Sequence, residues 1–167
     1  MTVTEILATV DELSANTVMR ITVTGGEPLA QPGAHALMRL LCDQGYAVSL
    51  ETSGAVAIDE VDPRVVRVVD IKTPGSNEQA RNLWANIEQL ALHDQIKFVL
   101  CNRGDYDWAV EIIKQHQLDQ RVEDVLLSPS HTELAAVDLA NWIVEDRLNV
   151  RMQVQLHKQL WGDVPGR

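Results

Sequence analysis

Hydrophobic and polar positions along this chain switch repeatedly between a helical period and a strand period. Ile6, Leu7, Val10 and Leu13 recur at helical spacing, and Thr2 followed by Glu5 has the spacing of a capping box, which predicts a helix over 2–15. Met19 to Val23 alternates apolar and polar, then stops at Gly25 and Gly26, as a strand would. Leu37, Leu40 and Leu41 predict a helix over 33–44, which Gly45 ends, and a strand follows over 46–50. The β-branched run 65–72 has the character of a parallel strand buried on both faces. Leu83, Trp84, Ile87 and Leu90 predict a helix over 78–92. The strand over 95–101 sets Ile96, Phe98 and Leu100 opposite Lys97, Val99 and Cys101. Asp105 can cap a helix through Gln117, with Ala109, Val110, Ile112 and Ile113 as its packing stripe. Val125 to Leu127 gives a short strand, and Thr132 caps a helix to Glu145. In the final stretch Val150, Met152, Val154 and Leu156 alternate with Arg151, Gln153, Gln155 and His157, predicting a strand with one apolar and one polar face.

Strands alternating with helices imply a parallel α/β sheet of about six strands. At 167 residues the chain is expected to form a single domain with a substantial core, and its 46% apolar content is that of a globular protein. No apolar run approaches the roughly 20 residues needed to span a bilayer. With no signal-peptide pattern either, the expected location is the cytoplasm and no membrane partner is expected. A net charge of −10 with scattered basic residues argues against nucleic acid as a partner. Cys42 and Cys101 lie too far apart in sequence to form the closely spaced thiolate group of an iron–sulfur cluster, and both are expected to be core thiols.

The candidate chemistry sits where strands end, which is where parallel α/β folds place ligands. Gly25 and Gly26 let a backbone pass close to a ligand and expose main-chain polar groups, while Glu27 adds a charge. On the residues alone, the same stretch serves as an ordinary strand-to-helix turn. Thr52 and Ser53 offer hydroxyls beside Gly54, or form a polar turn. Asp70 and Lys72 share parity and could hold a zwitterion or a ribose, or simply pair with each other. The stretch Ser128-Pro129-Ser130-His131 ends another strand, and its histidine is either a ligand or solvated. Gln153, Gln155 and His157 either line a cavity suited to a heterocycle edge or face solvent.

Thr24-Gly25-Gly26-Glu27-Pro28 resembles the GGEP element of radical S-adenosylmethionine (SAM) enzymes. Further similarity, through Glu51-Thr52-Ser53-Gly54, Asp70-x-Lys72, the stretch from Lys97 to Trp108 and Gln155-x-His157-Lys158, is to the 7-carboxy-7-deazaguanine synthases of queuosine biosynthesis. The resemblance implies a partial parallel (β/α) barrel of the radical SAM type. It implies that Gly25, Gly26, Glu27, Thr52, Ser53, Asp70, Lys72, Ser128, Pro129, Ser130 and His131 bind SAM, and that Thr24, Gln155, His157 and Lys158 meet the pterin substrate. The family reaction is a radical ring contraction of 6-carboxy-5,6,7,8-tetrahydropterin to 7-carboxy-7-deazaguanine, using SAM, a 4Fe–4S cluster and magnesium.

The cluster and magnesium ligands of the family have no counterpart in this sequence, and no residue is assigned a catalytic role. A chain opening on a helix cap is expected to lack the family's first strand, cluster loop and N-terminal substrate segment, and so to be inactive by itself. A SAM-, pterin- or purine-binding module without turnover, or a remnant of an enzyme that activates a protein glycine radical, are the other expectations; the Gln155-x-His157-Lys158 end disfavours the last. An open edge beside the Met19–Thr24 strand is expected to favour a homodimer.

Overall fold

A computed structural model describes residues 1–15, 17–162 and 164, without the side chains of His157 and Gln159. Its centre is a parallel sheet of six strands, β1 (Arg20–Val23), β2 (Ala47–Thr52), β3 (Val66–Asp70), β4 (Gln95–Leu100), β5 (Asp124–Pro129) and β6 (Arg151–Met152), adjacent in space in their sequence order. Helices α1 (Val3–Ser14), α2 (Ala34–Asp43), α3 (Arg103–His116), α4 (Leu118–Arg121), α5 (Ala136–Glu145) and α6 (Leu156–Trp161) complete the described elements, with short 3-10 turns in the loops. The capping box at Thr2 forms as the sequence predicts: the Glu5 amide donates to the Thr2 hydroxyl, and the Thr2 amide to the Glu5 carboxylate.

Register sorts the strand residues into two faces. Ile21 pairs with Val48, Val69 with Ile96, Ile96 with Val125, and Phe98 with Leu127, so these apolar side chains form one continuous face. That face meets the helices in two hydrophobic clusters, one around Met38, Leu41, Val48 and Leu50 and the other around Phe98, Tyr106, Ala109 and Leu127. Burying aliphatic and aromatic side chains on this scale is the main favourable term in the fold. Arg67 falls on the apolar face, and is accommodated by Asp94, which is fully buried. Asp94 accepts from the Arg67 amide at 2.8 Å and from its guanidinium, and also from the Ala91 amide.

The opposite face is polar and lines a cavity of about 670 Å³ to which all six strands contribute. The Thr22 and Ser49 hydroxyls are 3.0 Å apart, Lys97 reaches Glu51 at 3.1 Å, and Arg151 reaches Asp124 at 2.8 Å. The run 65–72 has buried residues on both faces, Arg67 and Val69 toward the helices and Val68 toward the cavity, although Val66 beside it is only half-buried.

Four expectations are corrected. The stretch 78–92 is not an α-helix but two 3-10 turns, Gln79–Arg81 and Trp84–Gln89. The Asn82 and Asn86 side chains bond to backbone groups of other loops, and the Leu83 amide donates to the Gly54 carbonyl, which diverts the donor that an α-helix would direct to the Gln79 carbonyl. The strand predicted through His157 ends at Met152. The Gln153 amide donates to the Leu127 carbonyl, but the next rung would need an amide hydrogen from Pro129, which has none. Asn102, not Asp105, caps α3, accepting from the Asp105 amide at 3.0 Å. Thr132 sits at φ 72° in a turn, and α5 starts four residues later.

Candidate functional site

Glu27 organises the exits of β1 and β2. Its carboxylate accepts from the Leu29 amide at 3.1 Å, the Ser53 amide at 2.8 Å, and the hydroxyls of Thr52 and Ser53. Burial pushes the Glu27 carboxyl upward, but the bonds from Ser53, Leu29 and Thr52 outweigh it and hold it below the ordinary carboxylate value. Glu27 is thus a tie between the two motifs. Gly25 and Gly26 sit just before it at φ 99° and 54°, a region that favours glycine, with open space where a Cβ would lie. Thr24 is exposed beside them.

The exits of β3, β4 and β5 form a second group. Lys72 Nζ lies 2.8 Å from Asp70 Oδ2, so the shared parity does bring acid and base together. Asp70 Oδ1 is buried and has no hydrogen-bond partner. Both residues line a cavity of about 410 Å³ with Thr73, Gly75, Cys101, Ser130 and others. An orphaned buried acceptor beside an ammonium suits a ligand that brings hydroxyl or ammonium donors, and SAM carries both. The residues present therefore fit SAM. Gly54 joins the two groups, since a Cβ there would stand 3.2 Å from the Asp70 carbonyl oxygen.

Ser128 is buried in β5, and so is Pro129. Ser130 also lines a smaller cavity of about 110 Å³ with Pro129, His131 and Gln155, so the structure brings Gln155 to the β5 exit although it leaves the strand. Gln155 stands at the start of α6, and Lys158 within it. The side chain of His157 lies outside the described residues.

Cys42 and Cys101 are half-buried rather than core thiols. Burial, with the Glu133 carboxylate beside it, pushes the Cys101 thiol up to about 11. The two stand on different elements, Cys42 within α2 and Cys101 just after β4, and do not fit a 4Fe–4S cluster. Among the described residues there is no group of three or more His, Cys, Asp or Glu that could hold a metal ion.

The sequence pattern assigns no site role to Glu51, Lys97, Asn82 or Asp105. The first two were legible as polar residues at alternate strand positions. The other two gain their role only from loops brought together by the fold.

No family model matches the chain. It is 39% identical over 170 residues to the 7-carboxy-7-deazaguanine synthase of Koribacter versatilis, covering 94% of this chain and 74% of that one. It is 41% identical over 166 residues to the synthase of Chlorobaculum tepidum, covering 97% and 73%. The chain belongs to the 7-carboxy-7-deazaguanine synthase family. By that resemblance it is a radical SAM lyase, and its sheet is a partial barrel of the radical SAM type. Streptococcus suis SuiB bound to S-adenosylmethionine has the same fold, with a TM-score of 0.63 and 11% identity over 93% of this chain and 42% of that one. The synthase family's chains are longer: this one spans about three quarters of the relatives it matches. No helix among the described residues is long and apolar enough to cross a membrane.

Proposed function

We propose that these residues form the SAM- and substrate-binding part of a 7-carboxy-7-deazaguanine synthase acting on 6-carboxy-5,6,7,8-tetrahydropterin. The observation that carries the reading is the pairing of Asp70 and Lys72 around an unsatisfied buried oxygen, at a strand exit shared with Ser130. Asp70, Lys72 and Ser130 would hold SAM, with Gly25 and Gly26 offering main-chain groups. Glu27, Thr52 and Ser53 would shape that wall, and Thr24, Gln155, His157 and Lys158 would meet the pterin. When bound, SAM supplies the group that removes hydrogen from substrate. The polypeptide's part is to orient the two molecules and keep water from the reacting atoms.

Two cysteines on separate elements do not supply the thiolates of a cluster, which favours binding without turnover as the behaviour of these 167 residues by themselves. Calorimetric titration with SAM, then with the carboxylated tetrahydropterin, tests the reading. Saturable SAM binding that is lost in a Glu27→Ala, Lys72→Ala double variant supports it. Failure of the unaltered chain to bind either ligand overturns it. In the same reading the protein works in the cytoplasm, and as a homodimer, since among the described residues β1 is paired on one side only. A monodisperse monomer in light scattering would count against the dimer.

A further inference from the structure

The segment from Lys72 to Gly75 leaves β3 and forms one wall of the 410 Å³ cavity, yet it belongs to neither a strand nor an α-helix. Such a wall keeps its shape only if something outside it satisfies its backbone. Asn82 does so at one end: its carbonyl oxygen accepts from the Lys72 amide and its amide donates to the Lys72 carbonyl, both at 2.9 Å. Asp105 does so at the other end. It projects from the first turn of α3, is 1% exposed, and accepts from the Gly75 amide at 2.7 Å and the Cys101 amide at 2.9 Å. One carboxylate thereby joins the loop after β3 to the end of β4.

The geometry at Asp105 admits few alternatives. Two amide donors, one to each oxygen, require an acceptor at both positions, and an asparagine would turn its own NH2 toward one of them. A Cβ at residue 75 would collide with Asp105 Oδ2, so Gly75 is required by this close approach and not by its backbone angles. Moving the carboxylate aside would break the bonds it makes, leaving buried donors unpaired.

We infer that Asn82 and Asp105 are positioning residues for the ligand site, holding the Lys72–Gly75 wall at its two ends so that the Lys72–Asp70 pair faces the cavity in a fixed geometry. This rests on the SAM reading of that site. Neither residue touches the ligand. Their effect is on how well the empty site is preformed, so their loss raises the dissociation constant without requiring the fold to fail.

The test measures SAM affinity by calorimetry and the melting temperature on the same samples of the full chain, for Asp105→Asn, Asp105→Ala, Gly75→Ala, Asn82→Asp and the Asp105→Ala, Gly75→Ala double variant. The expected result is affinity weakened about tenfold in each folded single variant, a loss of the size of a single hydrogen bond. The double variant is expected to be no worse than the weaker of its two parents, since both changes release the same latch. Asn82→Asp keeps the acceptor for the Lys72 amide and loses the donor to its carbonyl. As a half-buried loop change it keeps the test open if the Asp105 variants do not fold. Unaltered SAM affinity in the variants, whatever their melting temperatures, overturns the positioning role and leaves the site reading standing. No SAM binding by the unaltered chain overturns both.

Discussion

Glu27 carries a charge whose partners are all neutral donors of its own fold, and this gives it a defined pH signature. Its carboxyl is held below the ordinary value, so its contribution to stability is complete above about pH 4.5 and is lost as pH falls through the lowered folded value. Glu27→Gln should lower the melting temperature by about 2–4 °C at neutral pH, and the difference from the unaltered protein should close in acid. Thermal melts between about pH 3 and 7 check both. Cys101 offers a second residue-scale prediction. With its thiol pushed up to about 11, it is protonated at pH 8 and should react with iodoacetamide far more slowly than a small-molecule thiol, speeding up only in strong alkali. Alkylation followed by mass spectrometry reads this directly. Gly25, Gly26 and the Asp70–Lys72 pair were legible because local spacing alone specifies them. The tie that Glu27 makes to Ser53 was not, because residues 26 apart meet only once β1 and β2 are in register.

At the scale of elements, the segment 79–89 shows why periodicity misleads. Its apolar spacing suits a helix, but Asn86 is buried and bonds to the Ile58 amide and to the Gly54 and Val56 carbonyls, spending the segment's polar groups on the loop after β2. Asn86→Ala leaves those groups unpaired and should cost about 3 kcal/mol in urea unfolding. The short sixth strand has a local cause that the sequence does display. A proline in β5 cannot donate to the Gln153 carbonyl, and alternation of side chains says nothing about the partner strand's donors. Pro129→Ala restores that donor. Hydrogen exchange should then show new protection at residue 129 and a longer β5–β6 pairing.

At the scale of the whole molecule, the two hydrophobic clusters share one sheet, and β3 and β4 link them through Val69 and Ile96. A single cooperative unfolding transition is expected, with the melting curves from tryptophan fluorescence and from circular dichroism superimposing. Asp94→Ala should destabilise the whole by roughly 3–5 kcal/mol, because it strands the buried Arg67 guanidinium without a counter-charge. The parallel α/β architecture followed from the alternation of periods. Which sheet face would be polar required reading several strands together: Thr22, Ser49, Glu51 and Lys97 each look unremarkable in their own segment.

Every strand of this sheet lies beside the one that follows it in the chain. No strand must wait for a distant partner, so the closure entropy of each step is only that of a single connecting segment. A nascent chain emerging from the ribosome could therefore pair β1 with β2, add β3, and continue outward while its far end is still being made. Assembly would run in the direction of synthesis, with the Lys72–Gly75 wall fixed only once α3 had brought Asp105 to it.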